Sequence, residues 1–187
     1  MHRVAVFIDG AYLDHVILSQ FQGQKVDYYL LSKNIVDRTG QGKEIMRIYY
    51  YHCLPYQGKS PTAEESERFG RMQSFFRGLQ RTPRIEVRQG RLAFRGLDVQ
   101  GKPIFEQKQV DLMLGIDLTL VAAKGLITEA FLITGDSDLI PAICVAKDEG
   151  VVVYLVHGAG CGDDLLDEVD ERIPLSLELI NSALRMF

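Results

Sequence analysis

The chain has 187 residues, of which 47% are hydrophobic and 25% charged, and these values are typical of a globular domain. No apolar run is long enough to span a bilayer, and the Met-His-Arg start does not resemble a signal peptide, so we expect a cytoplasmic protein without a membrane partner. The three cysteines are widely spaced and form no Cys-x-x-Cys, which argues against a disulfide framework and a zinc knuckle. The simplest organisation is one domain over residues 1–187.

The net charge of −4 does not favour indiscriminate binding of polyanions, but the charge is unevenly distributed. Residues 68–108 contain ten basic and three acidic side chains, a net charge of +7, which leaves −11 for the rest of the chain. This basic segment could follow a phosphate backbone, or its charges could merely face water. Because arginine predominates in it and suits phosphate better than lysine does, we expect Arg88 and Arg91 to bind substrate.

Hydrophobic patterning predicts strands that alternate with helices along the chain. In the first half, the predicted elements are strand 3–8, helix 11–21, helix 28–36, strand 44–54, a helix opened by a capping box at Thr62 and ending near 79, and strand 84–88. In the second half, they are a hairpin insertion over 90–107, helix 110–124, strand 129–134, helix 139–149, strand 151–156, helix 163–170, an edge strand 173–175 and a closing helix 177–186.

This order predicts an α/β fold with a mainly parallel sheet that is covered on both faces and carries a small hairpin insertion. Three consecutive tyrosines, Tyr49 to Tyr51, could stack on nucleic-acid bases, but on a central strand they are more often part of the core. The loop Gly158-Ala-Gly-Cys-Gly162 lacks the helix and downstream acidic residue of a dinucleotide site.

Aspartates follow two of the predicted buried strands where each strand ends. Asp9 follows strand 3–8, Asp136 and Asp138 follow strand 129–134, and Asp111 opens the helix that precedes the second of these strands. In an open parallel sheet, ligands bind beyond the carboxyl ends of the strands, so we expect the carboxylates at one edge. For Asp9 and Asp138, the alternative is that each only caps a helix, a common role for aspartate after a strand.

Carboxylates brought together in this way need compensation. Two of them about 4 Å apart repel by roughly 1 kcal/mol in water and about 4 kcal/mol at the effective dielectric of a protein surface. A set of oxygen ligands with no His or Cys nearby in sequence favours Mg²⁺ or Mn²⁺ over zinc. A cation there can hold a phosphodiester oxygen, lower the pKa of a bound water and stabilise a leaving oxyanion.

Several short motifs occur along the chain in an order that matches a known family. They are Val6-Phe-Ile-Asp9-Gly, then Lys108-x-x-Asp111 with Asp117 six residues on, and then Thr134-Gly-Asp136-Ser-Asp138-x-x-Pro141. This pattern, from about Val4 to Ile173, resembles the NYN domain (LabA-like) family of the PIN-like nuclease superfamily. The resemblance implies a PIN-like three-layer α/β/α sandwich of Rossmann-like topology and Mg²⁺/Mn²⁺-dependent cleavage of RNA. It also maps the acidic cluster, both metal-binding and catalytic, onto Asp9, Asp111, Asp136 and Asp138.

One position departs from the family pattern. The family usually follows its first Asp-Gly-x with asparagine, and this chain has Tyr12 there, which affects the positioning of substrate more than the binding of metal. Asp117 fits the pattern, but it lies about 240° around the helix from Asp111, so it is either a site residue or a structural anchor.

Two further residues are candidates for substrate binding, each with an alternative. Ser137 could bind phosphate near a helix N-terminus or be the helix cap itself. Lys108 could contact substrate or balance the acidic cluster. Asp170 matches the family as well, and we expect it to be structural.

The leading hypothesis is therefore a metal-dependent ribonuclease that acts on RNA, most simply single-stranded RNA. A second hypothesis is a catalytically silent RNA- or protein-binding regulatory module that keeps the acidic pocket. A third is a small-molecule phosphatase, although an Asp-x-Asp after an internal strand fits a haloacid-dehalogenase enzyme poorly. The sequence leaves the oligomeric state open, a homo-oligomer included.

Overall fold

A computed structural model describes residues 2–58, 60–100 and 103–185, apart from the side chains at 97, 103 and 106–108. The strands are β1 (His2–Asp9), β2 (Lys43–Cys53), β3 (Ile85–Leu97), β4 (Pro103–Lys108), β5 (Glu129–Ile133), β6 (Val152–His157) and β7 (Glu171–Pro174). The helices are α1 (Gly10–Gln20), α2 (Tyr28–Asp37), α3 (Ala63–Gln80), α4 (Val110–Ala123), α5 (Ile140–Asp148), α6 (Asp163–Glu168) and α7 (Leu177–Asn181), with a 3₁₀ turn at Ser137–Leu139 before α5.

The strands form one sheet in the order β4-β3-β2-β1-β5-β6-β7. All neighbouring pairs are parallel except β3 and β4, which form the antiparallel hairpin. The chain builds outward from β1 through β2 to β3, then crosses to β5 and builds outward in the other direction. The direction therefore reverses between β1 and β5, and a crevice for ligands opens at such a switch point, beyond the carboxyl ends of the strands.

Two hydrophobic cores cover the faces of the sheet, because successive side chains of a strand point to opposite sides. Val4, Val6 and Ile8 of β1 are fully buried against helices α1, α2, α3 and α7. Ala5 and Phe7 are fully buried on the other face, against α4, α5 and α6. The predicted α/β class and three-layer sandwich are thus confirmed.

Local signals account for the start of α3. The Thr62 hydroxyl accepts a hydrogen bond from the Glu65 N–H, and the Glu65 carboxylate accepts one from the Thr62 N–H, each at 3.1 Å. This is the capping box that the sequence predicts. None of the helices within the described residues is long and apolar enough to cross a membrane.

Two predicted boundaries differ from the structure. Segments 84–88 and 90–96 form one strand, β3. It pairs with β2 up to Gly90 and with β4 from Arg91 onward, so no unpaired residue separates the two segments. The closing helix ends at Asn181 rather than at residue 186. Beyond it, the chain turns back to pair with residues 25–26, through a Val26–Leu184 bridge. Residues 101–102 of the predicted hairpin turn lie outside the described residues.

Candidate active site

Asp9 ends β1 at the switch point and also caps α1. Its Oδ1 accepts a hydrogen bond from the Tyr12 N–H at 3.1 Å. Gly10 allows α1 to begin at once, because a Cβ at this position would lie 2.6 Å from the Tyr50 hydroxyl oxygen. Asp9 therefore does cap α1. A carboxylate can accept about four hydrogen bonds, so this cap leaves Asp9 oxygen lone pairs available for a metal ion or another donor.

Asp136 stands at the end of the neighbouring strand. Ile8 of β1 pairs with Ile133 of β5, so Asp9 and Asp136 leave the sheet at the same edge. The Asp136 N–H donates to Thr134 Oγ1 at 3.2 Å, and Asp136 Oδ1 accepts from the Asp138 N–H at 2.9 Å. Asp136, rather than Asp138 or Ser137, is thus the cap of the 3₁₀ turn, which corrects both capping alternatives from the sequence.

Asp111 does not follow a parallel strand; it lies at the start of α4, directly after the hairpin strand β4. Gln109 adopts a left-handed conformation, with φ of 76°, and turns the chain from β4 into α4, which places Asp111 in the first turn of that helix. Asp111 and Asp138 both line an open groove of about 520 Å³ between α4 and α5. These two carboxylates therefore share one rim.

Electrostatics connects the four aspartates into one cluster. Burial raises the pKa of Asp9, and the negative charge of Asp111 raises it further, against the lowering effect of the Tyr12 N–H. Burial also raises the pKa of Asp111, as do the charges of Asp136 and Asp138. No basic side chain among the described residues forms an ion pair with any of the four. The cluster therefore has an excess of negative charge.

The predicted substrate-binding residues lie in different settings. Ser137 follows Asp136 in the 3₁₀ turn, Arg91 is exposed at the base of the hairpin, and the side chain of Lys108 lies outside the described residues. Arg88 donates from Nε to Asp117 Oδ2 at 2.9 Å and pairs with Glu86.

Asp117 also accepts a hydrogen bond from the Tyr51 hydroxyl at 2.9 Å. These two bonds tie α4 to β2 and β3, which favours the structural-anchor alternative for Asp117. Asp170 Oδ2 accepts from the Val153 N–H at 2.8 Å and joins β6 to β7, in keeping with a structural role.

Tyr12, the departure from the family pattern, spans three strand ends. Besides its N–H bond to Asp9, its hydroxyl accepts a hydrogen bond from the Gly158 N–H at 3.0 Å, after β6. Its ring lies over Gly135, where an added Cβ would come within 2.4 Å of Tyr12 Cε2. Tyr12 thus fixes the loops after β1, β5 and β6 relative to one another.

One residue near the cluster is missed by the sequence reasoning. His52 follows Tyr51, the partner of Asp9 in the sheet, and its Nδ1 accepts a hydrogen bond from the Cys53 N–H at 2.7 Å. Its Nε2 lies 3.4 Å from Asp14 Oδ2. No motif marks this pair, because only the register of β1 with β2 brings His52 to the site.

The switch-point carboxylates on a three-layer sandwich place this protein in the PIN-like nuclease fold. The family model of the NYN domain matches residues 3–177, so the chain belongs to the NYN domain family. Comparison with curated proteins finds no match.

Proposed function

We propose that this protein is a Mg²⁺- or Mn²⁺-dependent ribonuclease that hydrolyses RNA phosphodiester bonds. The observation that carries the proposal is the convergence of aspartates from three separate stretches of chain near the β1/β5 switch point, where burial and the charge of Asp111 raise the pKa of Asp9, and burial and the charges of Asp136 and Asp138 raise that of Asp111. Such a concentration of negative charge is costly without a ligand of opposite charge. Perturbed carboxylates in a crevice are typical of functional sites.

The residues present fit Mg²⁺ or Mn²⁺. Their donors are carboxylate oxygens, and the capping bonds to Asp9 and Asp136 occupy only part of each acceptor capacity. Among the described residues, no three His, Cys, Asp or Glu side chains already form a ready-made metal group. Mg²⁺ needs no such cage, because it keeps several waters and binds through one or two carboxylates together with phosphate oxygens. Asp9, Asp111, Asp136 and Asp138 are the proposed ligands.

The chain's own residues would then divide the work. Asp9 and Asp136, fixed by backbone hydrogen bonds at adjacent strand ends, would hold the cation. Asp111 and Asp138, which line the groove between α4 and α5, would add negative charge and further oxygen ligands. Ser137, which follows Asp136 in the 3₁₀ turn, would donate to a phosphate oxygen, and Arg91, exposed at the base of the hairpin, would attract the RNA backbone. The bound cation supplies a polarised phosphate and a more acidic water.

Cleavage assays on purified protein test the proposal. We expect a labelled single-stranded RNA to be cut in Mn²⁺ and left intact in EDTA, and the Asp9→Asn and Asp136→Asn variants to lose at least about a hundredfold in rate. The matched control is Asp170→Asn, an aspartate in the β6–β7 ladder that should keep the wild-type rate per folded molecule. Equal cleavage by the wild type and both site variants would show that another nuclease is responsible.

The second candidate is a module that binds RNA or protein and cleaves nothing. Tyr12 favours it, because its ring occupies the space above Gly135 where the family usually has the smaller asparagine. Calorimetry separates the two functions: the silent module binds RNA with no turnover in Mg²⁺ or Mn²⁺. If the Tyr12→Asn variant then gains cleavage, the ring is what silences the site.

A further inference from the structure

The β3–β4 hairpin projects from the edge of the sheet that carries the acidic cluster. The last residue pair between β2 and β3 is Cys53 with Gly90, and β3 continues beyond it to Leu97. The return strand β4 ends at Lys108, three residues before Asp111. The hairpin therefore forms a wall beside the proposed active site.

Three aromatic side chains cluster on this wall. Phe94 and Phe105 are directly opposed across the hairpin, with ring centroids 6.0 Å apart. Tyr56, in the segment after β2, stacks on Phe105 with centroids 4.9 Å apart and an interplanar angle of 29°. Although they contact one another, Phe94 remains 54% exposed and Tyr56 37% exposed.

These rings are not part of either core. The three consecutive tyrosines of β2 are each at most 8% exposed, so the base-stacking alternative that the sequence offered for them is excluded. Single exposed apolar residues are ordinary on protein surfaces, whereas a cluster of exposed rings on a projecting hairpin is typical of a binding site. Stacking would use the planar faces that the rings leave open.

The cluster faces the proposed active site. Alternation along β3 puts Arg88, Leu92 and Phe94 on one face, and Arg88 contacts Asp117 of α4 on that face. Asp9 is level with Tyr51 of β2 and Arg88 of β3, and Phe94 lies six residues beyond Arg88, about 20 Å at the usual rise of a strand. A nucleic-acid strand whose phosphate sits at the acidic cluster can therefore reach the rings within a few nucleotides.

The charge of the surroundings identifies the occupant. The hairpin sequence 90–108 has four basic and two acidic residues, a net charge of +2, and Arg91 is exposed on the opposite face of the same ribbon. The Debye length at physiological salt is about 8 Å, so the positive charges of the hairpin act on a ligand that contacts its aromatic face. A second copy of this basic surface would be repelled, whereas a polyanion with flat bases is attracted.

We propose that Tyr56, Phe94 and Phe105 form a stacking platform for the unpaired bases of single-stranded RNA on its way to the acidic cluster. The inference rests on the proposed ribonuclease function and names the side chains that would give it the expected preference for single strands. Bases in a duplex are already stacked on each other and do not offer their faces to a protein. Stacking on aromatic side chains is tolerant of sequence, so the platform would select unpaired strands rather than a base sequence.

Binding without turnover tests the platform. Fluorescence anisotropy of a labelled 12-nucleotide single-stranded RNA is measured in EDTA, where no cleavage is expected. We expect Phe94→Ala to weaken binding about tenfold, the effect of one lost stacked base, with the slope of log K against log salt unchanged because no phosphate contact is removed. Phe94→Trp should restore the affinity, and a blunt RNA duplex should bind Phe94→Ala and wild type equally.

Ile104→Ala is the matched control, an exposed apolar residue next to Phe105 whose side chain points to the other face of the hairpin. It should bind RNA like the wild type. Equal binding by Phe94→Ala and wild type, no binding by wild type, or an equal loss in Ile104→Ala overturns the platform. The platform is also overturned if the wild type sediments as a dimer and Phe94→Ala sediments as a monomer, because the rings would then contact a second copy of the chain.

The outcomes also separate this inference from the ribonuclease proposal. If Phe94→Ala is neutral while Asp9→Asn abolishes cleavage, the nuclease stands and the platform is wrong. If Phe94→Ala weakens binding but the wild type never cleaves, the platform stands and the nuclease is wrong.

Discussion

Replacing Asp9 by asparagine should stabilise the metal-free protein, although Asp9 is a partly buried residue at the end of a central strand. Burial and the charge of Asp111 raise its pKa, which means that the folded state resists its ionisation. Asparagine removes the charge and keeps an oxygen that can accept the Tyr12 N–H bond, since Asn and Asp are equally good caps. The substitution therefore removes a cost without removing the cap.

The size of the effect is limited by solvent screening. A charge near a protein surface is partly screened by solvent and typically contributes up to about 1 kcal/mol, so removal of the Asp9 charge should stabilise the metal-free protein by this order. For a chain of this length, that amounts to a rise in Tm of about 3 °C in EDTA. With metal bound, the wild type should be more stable than Asp9→Asn. Mn²⁺ at about a hundred times its Kd adds roughly 2.7 kcal/mol to the free energy of unfolding of the wild type, and the variant should gain little.

The pH dependence supplies a signature with a definite sign. A carboxyl group whose folded pKa lies above its ordinary value of 3.8 holds its proton more tightly in the folded state. Its contribution to stability is present below that ordinary pKa and is lost as pH rises through the folded pKa. The Tm advantage of Asp9→Asn should therefore be full above the folded pKa of Asp9 and shrink as the pH falls through it towards 3.8.

Thermal melts with and without Mn²⁺ measure all three effects. Asp170→Asn is the control, since it should keep the full Mn²⁺-dependent rise in Tm while losing some stability of the β6–β7 ladder. A decrease in Tm of several degrees for Asp9→Asn in EDTA would refute the reasoning, because the ionised carboxylate would then stabilise the apo fold. An undiminished Mn²⁺ shift in that variant would remove Asp9 from the metal site.

Three further predictions concern contacts that stabilise the fold. Lys43→Met leaves the Glu129 carboxylate with only its 3.0 Å contact to the exposed His2, in a site where the Lys43 and Glu129 side chains are only 8% and 6% exposed. Unfolding in urea should therefore show a loss of about 3 kcal/mol, and Glu129→Leu added to it should restore most of that loss. Gly135→Ala should cost about 2 kcal/mol in the wild-type background and little in a Tyr12→Asn background, because the added Cβ collides with the Tyr12 ring; a double-mutant cycle measures this coupling. Asp117→Asn should lower the Tm by several degrees yet keep the Mn²⁺-dependent shift, since it breaks an anchor rather than the site.

Much of the fold could be predicted from sequence because local and tertiary preferences agree there. The β1 run from Val4 to Ile8 is apolar throughout and is buried on both faces, as expected of a central parallel strand. The aspartates could be placed at one edge because strand ends in a parallel sheet share an edge whatever the strand order. The capping box at Thr62 is a short-range interaction that needs only four residues.

What could not be predicted depends on partners distant in the chain. Whether Asp136 or Asp138 caps the turn is decided by the backbone path after β5, to which the sequence Gly-Asp-Ser-Asp is indifferent. The contact of His52 with the site needs the register of β2 against β1, and the contact of Tyr56 with Phe105 needs the hairpin to fold back past β2. Periodicity identifies elements, but it does not say which elements meet.

The same dependence on distant partners explains how a repulsive cluster can persist in the folded chain. Carboxylates that repel one another move apart unless the surrounding structure holds them, and strain at a site survives only where other contacts over-determine it. Tyr12 provides such contacts, since its backbone binds Asp9, its ring covers Gly135 and its hydroxyl binds the loop after β6. By restraining all three loops, it holds Asp9 and Asp136 at the ends of their strands, where the charge of Asp111 acts on Asp9 and the charge of Asp136 acts on Asp111. The residue that departs from the family pattern is therefore also the one that holds the acidic site together.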